Sequence, residues 1–138
     1  MNISTTELLN RLKKTDDFAK FIEDNKNEFS ELSCTELLNE MLADKKTSLA
    51  KVAKASGQGD YVYKVFQGKR KPSRDIVIDI AVGMELSIDE TQFLLRIFKL
   101  AALDPRDKRD SAILYGLKDQ FDINRINDLL FELNEETL

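Results

Sequence analysis

Three Ser-x-x-Glu motifs punctuate this chain: Ser4 with Glu7, Ser33 with Glu36, and Ser87 with Glu90. In such a motif the serine hydroxyl accepts from the backbone N–H three residues on and the glutamate reaches back, so each marks a helix start. The first two stand in a near-repeat, Ser-x-Thr-Glu-Leu-Leu-Asn, 29 residues apart. One such pair is too little for a solenoid and predicts two helices that begin alike. Helical spacing continues between and beyond them. Asp17 opens a helix with Phe18, Phe21, Ile22 and Phe29 on one face. After Ser48, the residues Leu49, Val52 and Ala53 recur at i, i+3 and i+4 and stop at Gly57. Gln58-Gly59-Asp60 then reopens a helix with Val62, Val65 and Phe66 as its apolar side, ended by Gly68. Ser73 suits an N-cap, followed by Ile76, Ile78, Ile80, Ala81 and Met84 as a largely buried set. From Ser87 a longer helix carries Ile88, Leu94, Leu95, Phe98 and Ala101. Asp104-Pro105 reads as an N-cap with proline at the first helical position, for a helix reaching about Phe121. Asp122 caps a last helix with Ile123, Ile126, Leu129, Leu130 and Leu133 in a stripe. No segment alternates with the strand period, so the fold class expected is all-α.

Charge divides the same chain unevenly. Residues 45–74 hold nine Lys or Arg against one acid, Asp60, a local charge of +8. The whole chain carries −4, which leaves −12 on the other 108 residues. A polyanion is therefore attracted to one surface and repelled by the rest. The single cysteine, Cys34, forms no internal disulfide and agrees with a reducing compartment. Residues 1–7 show neither a basic nor an apolar signal region, and no apolar run approaches the roughly 20 residues of a membrane span. The expected location is cytoplasmic, away from membranes.

Zero histidines and one cysteine nearly close zinc chemistry and most general-base or triad arrangements, leaving carboxylate or magnesium catalysis formally open. No enzyme activity, cofactor or metal is expected. Gly57-Gln58-Gly59 follows no strand and reads as a turn rather than a nucleotide loop. Asp104, Asp107 and Asp110 lack the alternating spacing of a calcium loop and read as helix N-terminal charges, with Arg106 pairing Asp110.

Residues 48–57 followed by Tyr63-Lys64-Val65-Phe66-Gln67-Gly68-Lys69-Arg70-Lys71-Pro72-Ser73 resemble the lambda-repressor-like (Xre or Cro type) helix-turn-helix family. The likeness covers about residues 33–102, half the chain. It implies a five-helix DNA-binding domain over 33–102, with an N-terminal helical extension (1–32) and a C-terminal helix pair (103–138). Its third helix, 60–67 here, would enter the major groove. The spacing from Gly57 to Gly68 is one residue shorter than usual, and Ser48 or Leu49 stands where the family often has Gln. Ala53 is the small residue expected where the second helix crosses the third.

With Val62, Val65 and Phe66 turned inward, Asp60, Tyr61 and Lys64 face outward and Tyr63 and Gln67 lie at the edges. Lys64 can donate to guanine, Asp60 can accept from cytosine N4, and Tyr61 can lie on sugar or a thymine methyl. Lys69, Arg70, Lys71 and Arg74 suit phosphate, as do the backbone amides after Ser73. The expected function is a sequence-specific, double-stranded DNA-binding transcriptional regulator, and the resemblance implies a homodimer. The competing reading is a protein-interaction module, antitoxin-like or adaptor, whose acidic flanks bind a protein partner. The C-terminal stripe can close the chain's own core or pair with a second copy.

Overall fold

The computed structural model describes residues 3–28 and 33–138. Among them every regular element is helical: α1 (Thr5–Lys14), α2 (Phe18–Asp24), a short 3-10 turn (Lys26–Glu28), α3 (Cys34–Asp44), α4 (Leu49–Ser56), α5 (Asp60–Phe66), α6 (Arg74–Gly83), α7 (Ile88–Ile97), α8 (Lys108–Lys118) and α9 (Ile123–Glu132). The chain is all-α, arranged as two compact units, Met1–Ser33 and Cys34–Leu138.

In the first unit Ser4 caps α1 by accepting from the Glu7 N–H, while the Glu7 carboxylate turns to Arg11 at 3.1 Å. Arg11 also reaches Asn25, a buried residue whose amide donates to the Phe21 carbonyl. Phe21 is buried. Phe18 stacks on it yet stays 63% exposed, and Ile22 is exposed too, so the predicted face is only partly covered. Phe29 lies outside the described residues.

The second unit is built around α6. Six consecutive residues, 77–82, are buried, which a helix achieves only when neighbours cover it on all sides. α4, α7 and α9 pack against it, and α8 packs on α7 and α9. Where α6 crosses α4 the small residue is Gly83. A Cβ at 83 would stand 3.0 Å from the Val52 carbonyl oxygen and 3.2 Å from the Ser56 nitrogen, so glycine lets α6 lie directly on the α4 backbone. Ala53 is buried. The stripe of α9 packs within the chain: Ile123, Ile126 and Leu130 are buried in the core shared with α6 and α8. Residues 103–138 thus belong to the same compact unit as 34–102.

Helix starts follow the local caps at Asp17, Ser48, Ser73, Ser87 and Asp122, and Ser87 with Glu90 completes a reciprocal capping box. The expected start at Asp104-Pro105 is three residues early. Asp107, not Asp104, caps α8, accepting from the Asp110 N–H, and residues 104–107 form a turn. Asp104 lies before the helix, with its N–H donating to the Asp110 carboxylate at 3.0 Å. The α7 helix ends at Ile97, leaving Ala101 exposed.

Candidate functional site

The basic window becomes α4, a turn, α5, and a connector leading into α6. The turn is residues 57–59, and both its glycines are needed. Gly57 closes α4 in the left-handed region (φ +77°), and Gly59 takes φ +54° at the N-cap of α5. Asp60 is consequently the first helical residue and not a cap. Its carboxylate lies exposed in the first turn, where the helix dipole favours negative charge. Inside the turn, the Gln58 N–H donates to Ser56 Oγ and its side-chain amide donates to Asp79 Oδ2 at 2.7 Å. Val62, Val65 and Phe66 of α5 are buried against the core. From α3, Asn39 donates to the Phe66 carbonyl at 2.9 Å and fixes the C-terminal end of α5.

That packing leaves Asp60, Lys64 and Gln67 exposed. Tyr61 and Tyr63 are half-buried against the core, and the Tyr61 hydroxyl donates to the Lys71 carbonyl at 3.3 Å. Tyr61 is therefore a brace between α5 and the connector more than a free outward side chain. In the connector Gly68 takes φ +77°, the Lys69 N–H returns to the Lys64 carbonyl, and Pro72 is buried. Lys69, Arg70 and Lys71 stand exposed on this bracket. Ser48 and Ser73 are exposed, and each hydroxyl is occupied as an acceptor capping its own helix, from the N–H groups of Lys51 and Ile76.

Arg74 is instead held within the chain. Its guanidinium forks onto Asp110 at 2.8 and 3.1 Å and donates to the carbonyls of Ala101 and Ala102. Asp110 is buried, so this pair replaces the expected Arg106–Asp110 contact. Burial pushes the Asp110 carboxyl up, but the Arg74 fork and the Asp104 N–H outweigh it and hold the group below its ordinary range. A second fork joins Arg109 to Asp75 at 3.0 and 3.1 Å. Lys45 pairs with Glu90 at 2.7 Å, which lowers the Glu90 carboxyl. The other seven cations of the window have no acid within 4.0 Å among the described residues. Lys51 and Lys54 line an open groove of about 440 Å³ that also contains Asp122, so the connector is the less compromised seat for an anion.

Beneath the turn lies Asp79, which the sequence reading did not single out. It is fully buried, and burial lifts its carboxyl to about 7 despite the Gln58 hydrogen bond. Its signal was an acid inside the apolar run 76–82. Among the described residues no cluster of potential metal ligands occurs, and no helix is long and apolar enough to cross a membrane. The chain matches no protein-family model, no curated protein and no solved structure.

Proposed function

We propose that this chain is a sequence-specific, double-stranded DNA-binding transcriptional regulator of lambda-repressor-like type. The observation that carries the reading is the distribution of charge. Seven cations with no acid within 4.0 Å among the described residues cluster on 46–71, on a chain that is −12 outside residues 45–74. Lys69, Arg70 and Lys71 bind phosphates on either side of a groove into which α5 presents Asp60, Lys64 and Gln67. Tyr61 braces α5 against the connector, which holds readers and phosphate ligands at a set spacing. Half-site recognition by one copy makes a homodimer the natural assembly on an operator.

Binding to duplex DNA tests the reading. With four to six phosphates neutralised, the slope of log K against log salt is about −3.5 to −5.5. A slope near zero, or no binding at low salt, would refute it. One observation favours a protein partner instead: Phe131 on α9 and Tyr115 on α8 are 76% and 48% exposed. A stoichiometric partner lost on Phe131→Ser, with no duplex binding, would decide for that reading.

A further inference from the structure

Asp79 has no exposed surface and lies within the buried run of α6. Its Oδ2 accepts from Gln58, and its Oδ1 has no hydrogen-bond partner among the described residues. One donor is poor compensation for a buried carboxylate, which can accept about four hydrogen bonds. A protonated carboxyl is a better match to a primary amide, since one oxygen accepts from the amide N–H while the hydroxyl can donate to the amide oxygen. Gln58 is the middle residue of the turn between α4 and α5. Its carbonyl accepts from the Tyr61 N–H, and glycines flank it on both sides. The Asp79–Gln58 bond thus ties this turn to the central helix.

We propose that Asp79 and Gln58 form a proton-operated latch on the turn: with Asp79 protonated the turn stays closed on α6, and with Asp79 ionised it opens to let water reach the carboxylate. An ionised Asp79 must be neutralised or hydrated. The neighbouring charges do not neutralise it. Asp75, one turn earlier on α6, opposes ionisation, and Arg109 of α8 favours it but is already forked onto Asp75. Asp110 of α8 is held by Arg74. The buried residues of α4 (Val52, Ala53, Ser56), α5 (Val62, Val65, Phe66), α7 (Thr91, Leu94, Leu95) and α9 (Ile123, Ile126, Leu130) carry no ionisable group. Hydration is then the outlet, and the two-glycine turn is a cheaper element to displace than a packed helix. Burial, only partly offset by the Gln58 bond, lifts the carboxyl from 3.8 to about 7, which puts the latch in the neutral range. It stands on the packing of the fold and does not require the DNA reading.

Amide hydrogen exchange of the full chain, corrected for intrinsic rates, tests it. The reporters are the N–H groups of Tyr61 and Val62, bonded to the Gln58 and Gly59 carbonyls. Opening that releases a proton is favoured up to about tenfold per pH unit between the two carboxyl values and levels off above them. Protection of these two amides should fall at least about tenfold from pH 5 to 7.5, relative to the amides of α6, and stay flat in Asp79→Asn, which does not titrate. A flat wild-type profile, or the same fall in Asp79→Asn, would overturn the latch. Should Asp79→Asn not fold, the Asp79 carboxyl carbon followed by NMR in the wild type replaces it. A midpoint shared with the loss of turn protection supports the latch, and titration in the ordinary carboxylate range refutes it.

Discussion

Replacing Arg74 with alanine separates two roles for one cation. If Arg74 bound phosphate, its loss would weaken DNA binding, flatten the salt slope by about 1 and leave stability alone. The structure instead has it holding Asp110, whose side chain is only 9% exposed, and two carbonyls of the 98–103 segment. Removing one partner of a fully buried pair costs about 3–5 kcal/mol, because the other charge is left without compensation. Arg74 is a quarter exposed, which discounts that figure, and the two carbonyl bonds add about 1 kcal/mol each. We expect about 3 kcal/mol, or a fall in melting temperature of roughly 12 °C or more for a unit of this size. Arg74→Lys should recover only part, since an ammonium cannot fork across a carboxylate and two carbonyls. The sign of the pH dependence follows from the lowered Asp110 carboxyl. The wild-type contribution is present above the unfolded value of 3.8 and is lost as pH falls through the lower folded value. Without Arg74 burial dominates Asp110, so the gap between wild type and variant should narrow on acidification. Urea unfolding with an unchanged m-value, at several pH values, measures this. A loss below about 1 kcal/mol together with a flatter salt slope would refute the reasoning and return Arg74 to the phosphate set.

Lys69→Ala or Arg70→Ala should weaken all duplex sequences alike and flatten the salt slope, whereas Lys64→Ala should cost roughly 1–3 kcal/mol on a preferred site alone. Competition between selected and random duplexes distinguishes them, and equal losses throughout would remove Lys64 from the readers. Leu130→Ala should cost about 2–5 kcal/mol, since the side chain is fully buried within the unit. Its sedimentation should match that of the wild type, and dissociation of a wild-type dimer without loss of stability would contradict the intrachain packing of α9.

The parts of the fold that were legible in the sequence are those set by short-range chemistry. A cap depends on an oxygen and an N–H three residues apart, so Ser48, Ser73, Ser87 and Asp122 could be placed without knowing the rest of the chain. Asp104 satisfied the same rule, yet Asp107 caps α8, and the Asp104 N–H goes to a carboxylate that Arg74 anchors from 36 residues away, a contact no local rule contains. Charge clustering located the exposed connector, yet it could not show that Arg74 and Lys45 are paired within the chain. Gly83 and Asp79 each break an apolar run, a visible anomaly whose meaning depends on which helix lies opposite.

The braced connector has an entropic consequence. Tyr61, the Lys69 N–H, Gly68 and buried Pro72 fix its backbone in the free protein. Ordering a loose segment costs about 1–2 kcal/mol per residue, and here most of that is met on folding rather than on meeting a ligand. On the proposed DNA reading, three cations on a fixed backbone keep the spacing of their attachment points, which favours a polyanion whose charges match it. A duplex with rigid phosphate intervals can match that spacing in one step, whereas a flexible polyanion must surrender its own freedom to do so.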